Sequence, residues 1–429
     1  MRREVSLIAA AVVGIAVATA FDVNQWVSAQ QRPAASKFAA VPGEKGGQDV
    51  WGAYEPVPNW PKDISKIPGN EGWTFGAGQS VFAESPNRVF VLQRGVLPAI
   101  QRPKVQKIGP SVVFPIGRLP WRDATVASSP GNGGAGGIAE QGVEAWLKAG
   151  NQWGVDSKWQ HTVMIFNAAG DHVESWSQWD KMLQRPHFIA INPYDAQKHV
   201  WLIDDHKHAI FKMTNDGKQI VQTIGTYGVP GNDATHFNRP TYLDWFPDGS
   251  FVVADGYNNA RVVKFDKDGK YVTSWGERGN NQDDMRPGYF NNVHGLAIDP
   301  KTRHIAVNDR NNQRIQIFDE NGKFLNQWSM GKDPSDVHLI HVFSDGYLWG
   351  VDRGTSKMLK YDMDGNFLYS WGTWGDFPGA IWGVHDFSVD SEGNVYTASV
   401  DMGGAQKLRP RKGANPEFML GKPLRVAWQ

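Results

Sequence analysis

The chain has 429 residues, with 44 basic and 44 acidic side chains, 47 glycines, 19 tryptophans and no cysteine. Because the charges balance, no broad positive field would attract nucleic acid or an anionic membrane surface, and both kinds of partner are disfavoured. Segments rich in Val, Ile, Phe and Tyr, separated by tight turns, favour many short strands over helices. Without disulfides, the fold must draw its stability from a large core or from a bound metal.

The first 29 residues have the pattern of a secretory signal peptide. Arg2 and Arg3 precede the apolar segment 7–21, and Val27-Ser28-Ala29 fits a small-residue cleavage site. We therefore expect cleavage after Ala29 and a periplasmic or secreted protein that keeps no membrane span. An uncleaved anchor is the alternative, although the apolar segment is short for a span. The two arginines also permit twin-arginine export in place of the general secretory route.

A repeat begins at about residue 73, after a segment (residues 30–72) that we interpret as a linker and an irregular N-terminal wrap. Each copy spans about 40 to 50 residues and contains four strand-like segments. The first opens near a Pro-His or Val-His pair, the second ends in Asp, an Asp-Gly or Asn-Gly turn follows the third, and the fourth ends in Trp. The copies begin near Gln79, Arg185, Arg239, Asn292, Asp336 and Gly383.

Six copies of four strands predict an all-β fold, a six-bladed β-propeller over residues 73–429. Residues 96–160 interrupt the first copy as an insertion, in which we expect a glycine-rich loop and a short helix at 140–149. The turns between third and fourth strands are predicted hairpins, at Asp216-Gly217, Asp268-Gly269, Asn321-Gly322 and Asp364-Gly365. The tryptophans that end fourth strands are interpreted as packing between blades: Trp176, Trp275, Trp328 and Trp371.

Histidines recur at one position of the repeat. In a propeller the first strand of every blade lines the central channel, so equivalent positions form a ring around the axis. That ring contains Gln79 or Ser80, His187, Thr241, His294, His338 and His385. A lone histidine there would be read as lining a wet channel, but His187, His294 and His385 fall on alternate blades and should converge. Three neutral imidazoles with an open fourth position suit catalytic zinc, and His338 is either a channel residue or an additional ligand.

The loops after the second strands form a second ring. It contains Arg94, Asp204, Asp205, Tyr257, Arg310, Arg353 and Asp401. The aspartates that end second strands are interpreted as caps for turn amides: Asp204, Asp255, Asp309 and Asp352. Arginines at a channel mouth are costly unless they meet an anion. Arg94, Arg310 and Arg353 therefore indicate a substrate that carries a carboxylate.

Several stretches of the chain resemble the peptidyl-α-hydroxyglycine α-amidating lyases and their bacterial relatives with NHL-type propellers. They are HFNRPT (residues 236–241), VADGYNNARVVKF (253–265), VHGLAID (293–299) and NDRNNQRIQIF (308–318). The resemblance covers residues 82–407. It implies a lyase that cleaves the C–N bond of an α-hydroxyglycine to give an amide and glyoxylate, with a small-molecule or peptide-derived substrate.

The resemblance also implies roles for single residues. It implies His187, His294 and His385 as zinc ligands, Tyr257 as general base, Arg94 and Arg310 as catalytic arginines, and Asp386 with the Ile189 carbonyl at a structural calcium. Zinc would acidify the substrate hydroxyl group, and the arginines would hold its carboxylate. The animal members carry disulfides beside the catalytic tyrosine and arginine, whereas Asn258 follows the tyrosine here.

Two other interpretations stay open. The first is a different metal-dependent propeller hydrolase, for example a lactonase, although such sites use Glu, Asn and Asp around calcium more than histidine. The second is a non-catalytic binding propeller whose tryptophans hold a partner or a carbohydrate. Zinc content separates the lyase from the lactonase, and replacement of all three histidines separates both from a binding scaffold.

Overall fold

Each predicted repeat folds into one four-stranded antiparallel sheet. The computed structural model describes residues 49–99, 106–108, 111–113, 158–279, 284–331 and 334–428. The proposed signal segment and the helix expected at 140–149 lie outside these ranges. No helix within the described ranges has the length and apolar character needed to cross a membrane.

Six sheets form the blades, and their first strands line the channel. In order from the axis outwards, blade 1 contains Gly78–Ser85, Arg88–Gln93, Val163–Phe166 and His172–Ser175, blade 2 contains Pro186–Ile191, Val200–Asp204, Ala209–Met213 and Ile220–Ile224, and blade 3 contains Tyr242–Trp245, Phe251–Asp255, Arg261–Phe265 and Tyr271–Trp275. Blade 4 contains Val293–Ile298, Ile305–Asp309, Arg314–Phe318 and Phe324–Ser329, blade 5 contains Val337–Val342, Leu348–Asp352, Lys357–Tyr361 and Phe367–Trp371, and blade 6 contains Val384–Val389, Val395–Ser399, Ala405–Pro410 and Tyr54–Pro56. The predicted six-bladed propeller is thus confirmed.

Burial follows the position of a strand within its blade. The second strands of blades 2 to 6 are mainly apolar up to a polar last residue, and they are buried at every residue because each lies between two neighbouring blades. The fourth strands of blades 3 and 4, by contrast, contain no fully buried residue, and their side chains are exposed or half-buried. The core is therefore a series of layers between blades, and the polar residues of the first strands are left for the channel.

The sixth blade is closed by the N-terminal segment. Tyr54–Pro56 pairs antiparallel with Ala405–Pro410, the third strand of that blade. Tyr54 is fully buried, its ring lies 5.7 Å from that of Trp371, and its hydroxyl accepts a hydrogen bond from the Leu420 amide. The N-terminal segment thus supplies the outer strand of the last blade.

The remaining short elements lie outside the blades. The insertion leaves blade 1 after Gln93, and its segment Val96–Pro98 pairs with Trp73–Phe75. Gln106–Ile108 pairs with Ser111–Val113, and Glu277–Arg278 pairs in parallel with Tyr289–Phe290. Four 3₁₀ helices occur in the described ranges, at Ile64–Lys66, Ser177–Trp179, Arg310–Asn312 and Pro416–Phe418.

The aspartates at the ends of second strands hold the loops in front of the first strands. Asp204 accepts hydrogen bonds from the amides of Gln184 and Arg185, and Asp352 accepts one from the amide of Asp336. Asp255 and Asp309 bind the amides of Asn238 and Asn291 in the same way. These carboxylates therefore fix the loops that surround the mouth of the channel.

Candidate metal centre and the arginine-lined cavity

Three histidines from alternate blades meet on the axis. His187, His294 and His385 are all buried, and each offers a ring nitrogen that lies within 4.8 Å of the corresponding nitrogens of the other two. Their ring centroids are 4.7 to 5.1 Å apart. The structure thus brings together the three residues that the ring argument and the resemblance both selected.

Each imidazole is held in one tautomer by a carbonyl of the next blade. The Nδ1 atom lies 2.7 Å from a backbone oxygen in every case: His187 from Thr241, His294 from His338 and His385 from Gln79. A carbonyl can only accept, so Nδ1 carries the proton and the lone pair of Nε2 faces the axis. The same pattern assigns Gln79, rather than Ser80, to the ring position of blade 1.

The surroundings keep the three histidines neutral. Burial lowers the pKa of each imidazole well below its ordinary value, and nearby positive or imidazole groups lower it further. Neutral imidazole is the form that binds zinc, and three such ligands leave a fourth coordination position open. The donor set, the shared tautomer and the burial therefore fit a zinc ion.

His338 occupies the fourth histidine position of the ring but has different surroundings. Its ring lies 5.0 Å from that of His385, and its Nε2 lies 3.3 Å from a carboxylate oxygen of Asp336. It does not belong to the group of histidines whose nitrogens converge. The structure therefore places His338 beside the candidate centre, among the residues that line the channel.

Tyr257 reaches the open side of the three histidines. Its hydroxyl lies 3.0 Å from Nε2 of His187 and 2.9 Å from Nε2 of His294. The tyrosine lies in the loop after the second strand of blade 3, where it is half-buried. Its hydroxyl is thus positioned to exchange a proton with a group bound at the centre.

Three buried arginines lie behind Tyr257, and two of them share one carboxylate. Arg185 and Arg239 both bind Asp205, and their guanidinium carbons lie 5.3 and 4.6 Å from the centre of the Tyr257 ring. Arg94 is 1 % exposed and donates to the side-chain oxygen of Gln79. Burial, and then the charge of Arg185, lowers the pKa of Arg94 well below its ordinary value.

Arg310 and Arg353 are paired with separate carboxylates. Arg310 donates to Asp336 through Nε and Nη2, and Arg353 donates to Asp401 through Nε and Nη2 at 2.7 Å each. Burial opposes ionisation, but Asp336 still raises the pKa of Arg310. Both arginines stay charged while most of their charge is compensated.

These side chains line one cavity of about 290 Å³. Its lining includes Tyr257, His338, His385 and the arginines 94, 185, 239, 278, 310 and 353. Three of these arginines, Arg185, Arg239 and Arg278, were not predicted as site residues. The sequence did offer a signal for two of them, because an Arg-Pro pair opens the first strands of blades 2 and 3.

The residues predicted for calcium lie together, but they are already hydrogen-bonded. The Ser80 hydroxyl donates to Asp386 and lies 3.3 Å from the carbonyl oxygen of Ile189. The other oxygen of Asp386 lies 3.0 Å from His341 and accepts the Phe387 amide. Calcium takes six to eight oxygen ligands, whereas Ser80, Ile189 and Asp386 supply three side-chain or carbonyl groups. Calcium stays a prediction from the resemblance.

Comparisons with known proteins find one repeat family and several relatives. The NHL repeat matches residues 290–318, which contain His294 and Arg310. The chain is 37 % identical over 170 residues to peptidylglycine alpha-amidating monooxygenase of Rattus norvegicus, which covers 39 % of the chain and 17 % of that protein. It is 34 % identical over 177 residues to peptidyl-alpha-hydroxyglycine alpha-amidating lyase 1 of Drosophila melanogaster, covering 39 % of the chain and 31 % of that protein.

A third relative is matched over a larger share of its length. The chain is 32 % identical over 230 residues to a probable peptidyl-alpha-hydroxyglycine alpha-amidating lyase of Caenorhabditis elegans, covering 52 % of the chain and 63 % of that protein. The chain therefore spans less than two thirds of the length of each of these relatives. The chain is a β-propeller with an NHL repeat, and it is similar to proteins named as peptidyl-α-hydroxyglycine α-amidating lyases.

Proposed function

We propose that this protein is an exported, zinc-dependent carbon–nitrogen lyase that converts an α-hydroxyglycine-type carbinolamide to an amide and glyoxylate. The observation that carries the proposal is the meeting of three neutral imidazoles with the Tyr257 hydroxyl beside buried arginines. Similarity to proteins named as amidating lyases supports the same class of reaction. The proposed export depends on the signal pattern of residues 1–29, and N-terminal sequencing of the protein recovered outside the cytoplasm tests it.

His187, His294 and His385 would hold the zinc through their Nε2 atoms. When bound, zinc acts as a Lewis acid that makes a hydroxyl group beside it more acidic. The carbonyls that accept from Nδ1 orient the three rings before the metal arrives, which limits the rearrangement that binding requires. The histidine set gives the site its specificity for a metal that prefers nitrogen ligands.

The chain's own residues account for the remaining steps. Tyr257 accepts the proton of the substrate hydroxyl, a task for which its oxygen must lie within hydrogen-bonding reach. The carbon–oxygen double bond of glyoxylate then forms as the C–N bond breaks, and the departing amide nitrogen takes up a proton. Arg94 and Arg310 hold the substrate carboxylate. Arg353 assists substrate binding at the rim of the cavity, where a hydrogen bond to Asp401 orients its guanidinium group.

Replacement of Tyr257 by Phe tests the proposal. Zinc-loaded wild-type protein should release glyoxylate from α-hydroxyhippurate, and Tyr257→Phe should do so at least about 100-fold more slowly, because general base catalysis contributes that much or more. Zinc content should be equal in the two proteins, since the three imidazoles are retained. Failure of the zinc-loaded wild type to release glyoxylate from any α-hydroxyglycine substrate would contradict the proposal.

A further inference from the structure

Gln79 lies between two of the candidate metal ligands. It belongs to the first strand of blade 1, and the neighbouring blades 2 and 6 carry His187 and His385 at the equivalent position. The Gln79 backbone carbonyl accepts a hydrogen bond from Nδ1 of His385, and its side-chain oxygen accepts one from Nη2 of Arg94, each at 2.7 Å. One residue thus contacts both a candidate ligand and an arginine proposed to act on the substrate.

The side-chain amide of Gln79 has its orientation fixed by Arg94. A guanidinium group carries donors and no acceptor, so the Gln79 atom that meets it is the oxygen, and the NH2 group lies at the other end. Gln79 is fully buried, and its Nε2 atom has no acceptor among the residues that the structure describes. Because buried amide groups are generally hydrogen-bonded and an unpaired one is destabilising, an acceptor on a bound ligand would satisfy this donor.

Gln79 also borders the cavity at the histidines, together with Tyr257 and His385. The Tyr257 hydroxyl lies at the gap between His187 and His294, within 3.0 Å of Nε2 of each. Gln79 belongs to the next gap around the axis, between His385 and His187. A ligand on the open side of the three histidines therefore has the phenol on one flank and the amide on another.

We propose that Gln79 is a substrate-binding residue whose Nε2 group donates to a carboxylate oxygen of the α-hydroxyglycine. This inference rests on the proposed function, in which Tyr257 takes the proton of the substrate hydroxyl and Arg94 holds the carboxylate. The hydrogen bond from Arg94 to Gln79 places the amide next to the same carboxylate. Two donors at fixed positions hold that group in one orientation, and this orientation directs the hydroxyl group towards Tyr257.

Two substitutions and two substrates test the inference. Gln79→Glu keeps an oxygen for Arg94 but replaces the donor with a second acceptor, whereas Gln79→Met removes both at similar size. Each should lower kcat/KM for α-hydroxyhippurate at least about tenfold, because a hydrogen bond to a charged group contributes that much. Neither should change kcat/KM by more than about twofold for N-(hydroxymethyl)benzamide, a carbinolamide without the carboxylate, which is cleaved to benzamide and formaldehyde.

Zinc content and a matched variant control for damage to the centre. Both variants at position 79 should retain zinc at the wild-type level, since the backbone carbonyl that accepts from His385 is kept. Gln406→Met removes an amide that is paired at both ends with the backbone of residues 379 and 380 and that does not line the cavity, so it should cleave both substrates like the wild type. Gln79→Glu preserves the size of the side chain and its bond to Arg94, and it carries the test if Gln79→Met does not fold.

A binding measurement separates this inference from the proposed function. Hippurate carries the carboxylate but has no hydroxyl group to react, so calorimetric titration with it needs no turnover. Zinc-loaded wild type and Gln406→Met should bind hippurate at least about tenfold more tightly than either variant at position 79. Absence of glyoxylate from every substrate, with this difference in affinity intact, would overturn the proposed function and leave the carboxylate contact standing. Equal hippurate affinity in wild type and Gln79→Glu, no binding of hippurate by the zinc-loaded wild type, or an equal loss of kcat/KM on both substrates would overturn the inference.

Discussion

At the scale of single residues, the candidate centre depends on which nitrogen of each histidine faces the axis. A carbonyl from the following blade fixes that choice for His187, His294 and His385. His338 lies on the same ring, but its Nε2 faces the carboxylate of Asp336 and does not converge with the nitrogens of the other three histidines. Residues of one type, at equivalent positions of one repeat, therefore have different chemical roles.

Alanine substitutions of two ring histidines test this difference. His294→Ala should lower zinc affinity by more than about 100-fold, since it removes a ligand and even the loss of a supporting partner costs 10- to 100-fold. His338→Ala should retain zinc at the wild-type level, because its ring lies outside the converging group. Elemental analysis of purified protein after dialysis against competing chelator measures both, and loss of zinc in His338→Ala would make it a ligand.

We expect the folding stability of the protein to depend on pH through the buried carboxylate of Asp244. Its carboxylate, in the first strand of blade 3, accepts the amides of Trp245 and Ile298. Burial raises its pKa from 3.8 to about 6, so the folded protein binds a proton that the unfolded chain releases near pH 4. Wild-type stability should therefore fall relative to Asp244→Asn as pH rises from about 4 to 6, by up to about 3 kcal/mol.

Urea unfolding at pH 4, 5, 6 and 7 measures that difference. Asp248→Asn is the control, because the Ser250 hydroxyl and amide lower the pKa of Asp248 although partial burial opposes them. Its stability difference from wild type should stay nearly constant from pH 4 to 7, because a carboxyl whose pKa lies below 3.8 is mostly ionised over that range in both the folded and the unfolded state. A constant difference between wild type and Asp244→Asn over the whole range would show that Asp244 is ionised in the folded protein throughout.

At the scale of elements, neighbouring blades are joined by a tryptophan and a glycine. The predicted packing tryptophans lie against glycines at the following turn: Trp176 on Gly217, Trp275 on Gly322 and Trp328 on Gly365, and Trp371 lies on Gly52 of the N-terminal segment. A side chain at any of these glycines would clash with the indole ring. The tryptophan on the outer strand of one blade therefore requires a glycine at the turn that packs against it. The closing segment of blade 6 uses the same contact.

Two glycines with similar backbone angles separate the effect of this contact from that of the turn itself. Gly322 and Gly346 both have positive φ, +87° and +83°, but a Cβ at Gly322 would lie 2.6 Å from the Trp275 ring, whereas at Gly346 the nearest atom is 3.8 Å away. Both Gly→Ala substitutions should lower the free energy of unfolding by about 1–2 kcal/mol, because alanine is strained in the left-handed backbone conformation. Gly322→Ala should lose about 1–3 kcal/mol more from overpacking. Equal shifts of the urea midpoints would show that Trp275 moves aside freely.

At the scale of the whole molecule, the candidate centre connects blades 2, 4 and 6. No cysteine is present, so no disulfide joins distant blades, and a metal at the candidate centre would add a link between them. A ligand that binds only the folded state stabilises it by about 4 kcal/mol when its free concentration is 1,000 times its Kd. A zinc ion held by three blades would therefore stabilise the whole propeller.

Metal removal tests this connection. Treatment with a chelator should lower the melting temperature of the wild type, added zinc should restore it, and His294→Ala should not respond to zinc. The same experiment examines the predicted calcium at Asp386 and Ile189, because a loss in His294→Ala that calcium alone restores would indicate a second metal. A melting temperature that neither chelator nor zinc changes would contradict a structural contribution from the histidine centre.

The sequence by itself determined the number of blades and the three histidines of the centre. Both follow from a period: hairpin turns and strand ends recur at regular intervals, and equivalent positions of a closed ring must converge on its axis. The histidine positions therefore needed no knowledge of side-chain contacts. Tyr257 and Arg94 came from resemblance together with their place after second strands, and the structure places both beside the axis.

Only the tertiary structure decided which charges meet. Arg185 and Arg239 precede their strands, and their long side chains reach Asp205 and Tyr257 along paths that no periodicity encodes. The pairing of Arg353 with Asp401 likewise depends on how loops from blades 5 and 6 pack. Closure of blade 6 by residues 54–56 joins segments more than 300 residues apart. Strand spacing is local and repeats in the sequence, whereas these contacts are long-range and occur once.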